Sequence, residues 1–413
     1  MTYRDHKIVA SIFCGRQDRT PILLRYLQIL YDRKLIDEVH LWDYTRDLKD
    51  TRWIRSMSLP TLYTSNRYEY ACEYPAEQEL STRVKSKSDI CILLKESTGT
   101  TYELIIGKNK NTKSIIKHKQ GYCSTVLSES DIIGFGNDDD WNTIHIIVSP
   151  TIMITVNGVQ WNTDITPKHS FKTVQYSTGF GSKGVWEFPT FSTTPFRYCK
   201  PLKNKEVDVH CHWSSYYSFY YDHRETLFDK TVLLKIDDDV LCLDIDHFGD
   251  FLDFRIDNPD YFLVFSNTIN NGTIAYYQQQ AGIIPTSLME LELPPGGLCG
   301  SLWESADKCV MLHDYFLNTP SRFSYEGHQE IEPSLRVSIN MFSVLTRHLE
   351  YYESIKDDER ELSVDIPTRC NFKKAIYNNF YSVHFTFYSQ ENTMSVENRN
   401  RLLNAYESFS QSE

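Results

Sequence analysis

Apolar residues run almost unbroken from Ile8 to Cys14 and stop at Gly15, the pattern of a strand buried on both faces. Thr20-Pro21 follows, with proline placed for a first helical turn. Leu23, Leu24, Leu27, Ile29 and Leu30 then recur at helical spacing until Asp32-Arg33-Lys34. A second strand is predicted over 38–43. Strand, helix and strand in that order imply a right-handed parallel crossover, the opening of an α/β nucleotide-binding layer. The rhythm changes between about 67 and 197, where strand-like segments at 88–95, 102–107, 113–119, 143–148, 152–156 and 174–179 alternate with turns. Asn157-Gly158 is a short hairpin signal. This block predicts an antiparallel β-sandwich inserted into the α/β domain, giving 1–66 with 200–413 as one domain and 67–199 as the other. Beyond Cys199 the α/β character returns. A helix is predicted over 213–221, buried strands over 231–236 and 261–266, and helices over 306–317, 337–352 and 399–408.

Composition narrows the function classes. The 413 residues are 41% hydrophobic and 24% charged, as in ordinary globular proteins, and the formal net charge of −12 lacks the electrostatic footprint of a nucleic-acid binder. No stretch approaches the roughly 18 apolar residues of a membrane-spanning helix, and the amino terminus does not read as a signal peptide. The ten cysteines include no C-x-x-C pair and read as reduced thiols. A cytoplasmic location is expected. The 27 tyrosines and 22 phenylalanines leave room for platforms that stack flat ligands or sugar rings.

The sharpest chemical feature is Asp237-Asp238-Asp239 at the end of an apolar strand. Three adjacent carboxylates repel one another, and a buried strand end tolerates them only with compensating charge. A divalent cation supplies that charge and bridges carboxylates to phosphate oxygens. Strand alternation sends Asp237 and Asp239 one way and Asp238 the other. The competing reading is a solvated turn; the position at the carboxyl end of a central α/β strand, where open sheets bind ligands, favours the cation. His210-Cys211-His212 lacks the second ligand pair that a zinc site needs, and Asp138-Asp139-Asp140 reads as an acidic loop.

The run Lys235-Ile236-Asp237-Asp238-Asp239-Val240 resembles the D-x-D region of nucleotide-sugar glycosyltransferases of the GT-A type, in particular a bacterial and large-DNA-virus group that builds surface glycans. Supporting segments are Phe13-Cys14-Gly15-Arg16 with Thr45-Arg46-Asp47, Ser266 to Asn271, Arg336 to Asn340, Asp358-Glu359 and Val383 to Phe387. The resemblance covers roughly 7–66 and 200–410. It implies a GT-A-like, Rossmann-like mixed sheet and Mn2+ or Mg2+ as cofactor. The donor implied is a nucleoside-diphosphate sugar (UDP or GDP) and the acceptor a glycan or glycoprotein. It also implies roles. Phe13, Gly15, Arg16 and Arg19 would hold base and pyrophosphate, although Arg16 and Arg19 also read as a surface pair at a helix start. Asp237, Asp239 and His384 would ligate the metal, with Asp238 on the ribose or metal and His384 otherwise a core residue. Asn267 and Asn270 would bind hydroxyls, or serve turn chemistry. Asp358 and Glu359 are the candidate catalytic bases, with Glu304 and Asp314 in reserve; their charged neighbours give them the look of a solvated loop.

The insert is similar to the farnesoic acid O-methyltransferase-like domain over about 84–188. The matching residues are Val84 to Leu94, Tyr102 to Gly107, Asn111 to Ile116 and Gly179-Phe180-Gly181-Ser182. It has no glycine-rich strand-to-helix turn that could hold S-adenosylmethionine, so methyl transfer is not expected. Glycan binding or assembly fits a β-sandwich attached to a glycosyltransferase, with Trp141, Trp161 and Trp186 as stacking platforms or core residues. The alternative for the whole chain is a catalytically inactive, lectin-like glycan-binding protein.

Overall fold

The computed structural model describes residues 3–45, 48–57, 59–60, 68–74, 79–108, 112–120, 123–131, 140–179, 184–187, 195–199, 201 and 213–411. Arg46-Asp47, Asn111, Asp138-Asp139, Phe180-Gly181-Ser182 and His210-Cys211-His212 lie outside the described residues. The chain forms two compact units, Met1–Ile54 with Pro201–Glu413, and Arg55–Lys200.

The first unit opens as its apolar pattern dictates. Strand β1 (Lys7–Cys14) buries Ile8, Val9, Ala10, Ile12 and Cys14. The helix Thr20–Asp32 starts on Pro21 and buries Ile22, Leu23, Leu24, Tyr26, Leu27 and Leu30 along one stripe. It ends where Lys34 turns left-handed, and β2 (Glu38–Asp43) returns parallel to β1 with Phe13 opposite Trp42.

The second unit is a β-sandwich. A short parallel pair, β3 (Leu59–Pro60) with a strand at Phe196–Cys199, stands apart from two antiparallel sheets. Between them come β4 (Glu69–Glu73), β5 (Glu79–Ser86), β6 (Ile90–Glu96), β7 (Thr101–Gly107), β8 (Lys113–Gln120) and β9 (Cys123–Ser130). These are followed by β10 (Asn142–Val148), β11 (Ile152–Val156), β12 (Val159–Asn162), β13 (Phe171–Thr178) and β14 (Gly184–Glu187), so that Phe196–Cys199 is β15. The sheets have the orders β12-β11-β10-β5-β14 and β4-β13-β6-β7-β8-β9. Burial alternates with period two along β5, β6, β10 and β11, which puts Leu80, Val84, Ile92, Leu94, Ile144, Ile146, Ile152 and Ile154 in one core. Asn157 and Gly158 both take positive φ, 49° and 83°, the twist that a two-residue hairpin between β11 and β12 needs.

The tryptophans divide. Trp186 is fully buried and Trp161 nearly so, both in the sandwich core, which selects the core reading of the two over the sugar platform. Trp141 is half-buried, with Arg83 5.0 Å and Lys85 5.3 Å from its ring centre. Trp186→Ala should therefore cost about 3–5 kcal/mol, the usual penalty for emptying a core aromatic, read as a lowered midpoint in chemical unfolding of the insert. An unchanged midpoint would return Trp186 to the surface.

Strands β16 (Thr231–Asp237), β17 (Val240–Leu243), β18 (Tyr261–Ile269), β19 (His328–Ile331), β20 (Met341–Leu345) and β21 (Lys373–His384) complete the first unit. Its sheet runs β17-β21-β18-β20-β16-β1-β2, with β19 also on β21. Strand β16 is parallel to β1 and β18 to β21, whereas β20 lies antiparallel between β16 and β18. Strands β2, β1, β16, β18 and β21 thus share one direction, and their carboxyl ends form one rim. The sheet is mixed and largely parallel, as expected. One element differs. The segment predicted as a helix over 337–352 is β20 followed by a 3-10 helix, Thr346–Tyr352. Met341–Leu345 is buried at every position, and a continuous apolar run of that length reads equally as strand or helix.

Two buried histidines add to the acid sensitivity of this unit. Burial pushes His313 down to about 4, although Phe385 O stands 2.8 Å from Nε2, with Tyr406 Oη 2.7 Å from Nδ1. Burial takes His348 to about 4 as well. A histidine whose folded pKa lies below its unfolded value binds more protons when unfolded, so its contribution is complete above pH of about 6.5 and is lost as pH falls towards 4. Each should remove roughly 1.4 kcal/mol per pH unit in that window, and His313→Gln should flatten part of the slope in urea melts run from pH 7 to pH 4. An unaltered slope would show that His313 is already protonated in the fold.

Candidate functional site

The rim of the sheet changes direction between β1 and β16: the chain leaves β1 towards β2 on one side, and β16 packs on the other. Ligands of open α/β sheets bind at such a switch point, outside the carboxyl ends of the strands. Gly15 and Arg16 follow β1 there, and Asp238 and Asp239 follow β16.

The three aspartates have different surroundings. Asp237 has its side chain 27% exposed, whereas those of Asp238 and Asp239 are 5% and 6% exposed. Asp238 Oδ2 accepts the Gly15 backbone N–H at 2.7 Å, and its Oδ1 takes the Arg16 guanidinium through Nε at 3.1 Å and through Nη2. Arg16 Nη2 also donates to Asp239 Oδ2 at 2.9 Å, and His384 Nε2 lies 3.5 Å from the same oxygen. Asp237 pairs with Lys235, a buried cation whose Nζ also donates to Ile339 O at 2.6 Å and sits 5.5 Å from the centre of the Phe13 ring. The expectation that a metal must supply all the compensating charge is thereby corrected, because Arg16 and Lys235 supply a large part.

Burial still raises the carboxyls of Asp237 and Asp238, with Lys235 and Arg16 respectively offsetting part of the effect. At Asp239 burial pulls the same way but His384 and Arg16 outweigh it, and the group is held below the usual carboxylate range. One of its oxygens, Oδ1, is buried without a hydrogen-bond partner among the described residues, and so is His384 Nδ1.

A cation fits here in a limited way. The unpartnered Oδ1 of Asp239 is a ready oxygen donor, and Asp237 is the most open of the three carboxylates. Among the described residues, however, no three His, Cys, Asp or Glu side chains converge on a metal-sized position. The ligand set Asp237, Asp239 and His384 is therefore not assembled as a triad; two carboxylates remain, the number that Mg2+ commonly takes alongside substrate phosphates.

The aromatic wall beside the turn was only partly legible in the sequence. Half-buried Phe13 has its ring centre 5.0 Å from that of Tyr44 and 4.4 Å from that of Tyr216. A cleft of about 510 Å3 is lined by Arg16, Gln17, Asp18, Lys49 and Asp50. Lys235, Tyr44 and Arg336 were missed. Lys235 carried a signal, since it stands two residues before Asp237 in an apolar strand, on the same face.

Asp358 and Glu359 open a short helix, Asp358–Arg360, and are half-buried, which corrects their reading as a solvated loop. Asp358 Oδ2 accepts from Tyr217 Oη at 3.0 Å. Glu359 Oε1 accepts from Arg336 Nε at 2.7 Å and Ser338 Oγ at 3.5 Å, and its Oε2 makes no hydrogen bond among the described residues. Burial raises the Glu359 carboxyl, against the opposing pull of Arg336 and Lys235. Since Lys235 also acts on Asp237, it links the acidic turn to this candidate base.

Three predicted binding residues are spent on the fold. Arg19, 1% exposed, is paired to Asp18 and Glu391 and lies 5.1 Å from the centre of the Phe385 ring. Asn267 is fully buried, donates to Phe323 O at 2.7 Å and accepts from Gln278 at 2.9 Å. Asn270 is fully buried and exchanges two 3.0 Å bonds with Gln390 while donating to Phe385 O. An amide with its donors and acceptor so engaged has nothing left for a sugar hydroxyl. Asn271 caps the helix Gly272–Gln280.

Among the described residues no helix is long and apolar enough to cross a membrane, and Cys14, Cys91, Cys123, Cys199, Cys242, Cys299, Cys309 and Cys370 form no disulfide. No protein-family model and no curated protein matches the chain. Among solved structures, it is similar to galectin LEC-6 of Caenorhabditis elegans (14% identity over 30% of this chain and 94% of the galectin, TM-score 0.22). It is similar also to a β-1,3-1,4-glucanase from a mouse hindgut metagenome (13%, 30% and 77%, TM-score 0.24) and to carbohydrate-binding module CBM66 of Bacillus subtilis (7%, 32% and 95%, TM-score 0.22). Likenesses at this identity and TM-score assign neither a ligand nor an activity to the chain.

Proposed function

We propose that the α/β unit is a metal-dependent glycosyltransferase that moves a monosaccharide from a nucleoside-diphosphate sugar, UDP or GDP, to a hydroxyl of a glycan or glycoprotein, and that the β-sandwich binds glycan. The observation that carries the first part is the acidic turn at the switch point of the sheet, with the buried, unpartnered Oδ1 of Asp239. Asp237 and Asp239 would hold Mn2+ or Mg2+, which when bound supplies positive charge against the diphosphate leaving group. Arg16, 38% exposed at its side chain, can turn from Asp239 towards the phosphates once the metal satisfies that carboxylate, while keeping Asp238 as a partner. Phe13 and Tyr44, their rings tilted 36° to one another, offer the base aromatic surface. Glu359, its carboxyl raised by burial and its Oε2 unengaged, would take the proton of the acceptor hydroxyl.

A second reading, a catalytically inactive glycan-binding protein, is favoured by one observation: Arg16 already closes Asp238 and Asp239 without a metal. Incubating the full chain with radiolabelled UDP- and GDP-sugars, with and without Mn2+, separates the two. Mn2+-dependent release of sugar supports the enzyme; intact donors of both kinds after prolonged incubation would leave the binding protein.

A further inference from the structure

The β-sandwich carries a cavity of about 590 Å3, within the roughly 300–1,000 Å3 typical of small-molecule sites. Its walls come from the turn after β6, the neighbouring strands β7, β8 and β9, and the loop between β12 and β13. Strand β9 is exposed along almost its whole length, with Val126 and Leu127 46% and 43% open, so the six-stranded sheet offers uncovered surface on that side. Glu96, only 3% exposed, fixes the opposite wall: Oε1 accepts the backbone N–H groups of Lys168 at 3.1 Å and His169 at 3.2 Å, and Oε2 accepts Thr98 Oγ1 at 3.3 Å. The loop is therefore held in shape before any ligand arrives, which lowers the cost of binding.

What remains at the cavity is a set of uncommitted polar groups. The side chains of Asp164, Thr166, His118, His169 and Ser128 make no hydrogen bond among the described residues, and all five line the space. Beside them the rings of Tyr102 and His118 meet edge to face at 5.5 Å. Hydroxyl and imidazole groups both donate and accept, as the hydroxyls of a sugar do, while the Leu127 side chain suits the apolar C–H face of a pyranose. The charge is balanced against anions, with two carboxylates, Glu96 and Asp164, and one lysine, Lys168. Among the described residues no metal-binding triad forms there.

We infer that this cavity is a binding site for a neutral oligosaccharide, held by Asp164, His118, Thr166 and Ser128. The inference rests on the glycan-binding role read for the insert and gives that role a place; it does not depend on catalysis in the α/β unit. The test is an array of neutral glycans (glucose-, galactose-, mannose- and N-acetylglucosamine-terminated) alongside sialylated and sulfated ones, probed with the full chain and with Asp164→Ala and His118→Ala. The neutral glycan bound most strongly is then titrated against each protein, with unfolding midpoints as the control for folding. Binding of neutral glycans, weakened roughly tenfold or more in each variant at unchanged midpoint, is the expected result. Should a variant unfold early, Thr166→Val, at an exposed loop position, replaces it. Undiminished binding by the variants would keep the insert a glycan binder but move its site elsewhere. Binding confined to sialylated or sulfated glycans would overturn the ligand class. No binding to any glycan would remove the insert's role along with this site, and would leave donor hydrolysis by the α/β unit as a separate question.

Discussion

Replacing Asp239 with Asn is expected to lower donor turnover roughly 10²- to 10³-fold, the usual cost of removing one preorganised electrostatic contact to a departing charge. The substitution keeps the shape of the side chain and removes the one carboxylate of the turn that the fold itself holds below the usual pKa range. Arg16 keeps Asp238 as a partner, so the local packing has little reason to move. Turnover with UDP- or GDP-sugar and Mn2+ is the readout, and the unfolding midpoint separates chemistry from stability. Unchanged turnover would remove the metal assignment. The second variant, Glu359→Gln, should slow transfer roughly 10²- to 10⁴-fold, the range of a lost general base, with donor binding retained. A base works only when deprotonated, and burial raises the Glu359 carboxyl. Wild-type activity should accordingly fall as pH drops through that raised value, and the Gln variant should lose this acid limb while Asp358→Asn keeps it. An acid limb that survives in the Gln variant would move the role to Asp358 or to another group.

Much of the fold was written plainly in the chain. The run from Ile8 to Cys14, the proline at the start of the following helix and the strand at Glu38–Asp43 each depend on local periodicity, and the structure follows them closely. So does the Asn157-Gly158 hairpin, because only a few residue types accept two successive positive φ values. Strand β20 was illegible for the opposite reason: buried on both faces, Met341–Leu345 carries no alternation to tell it from a helix.

The site was half legible. The acidic turn declared itself because three adjacent carboxylates at a strand end demand compensation, but the source of that compensation is tertiary. Arg16 reaches Asp238 across 222 residues, and no local spacing encodes that contact. Polar residues near a rim read equally well as binders and as structural groups. Asn267, Asn270 and Arg19 resemble ligand groups in one dimension, yet burial forces each to satisfy its hydrogen bonds within the protein. The sandwich cavity went unnoticed because Glu96, His118 and Asp164 come from separate strands and a loop.

The most direct test of the acidic turn is a titration of Mn2+ into the full chain, followed by the electron paramagnetic resonance signal of the free ion, with UDP or GDP present. Stoichiometric loss of the free-ion signal in the wild type, dependent on one of the two nucleotides and abolished by Asp239→Asn, is the expected result. A free-ion signal that rises equally for wild type and variant with either nucleotide would mean that this turn holds no metal and that its aspartates serve Arg16 and Lys235 alone.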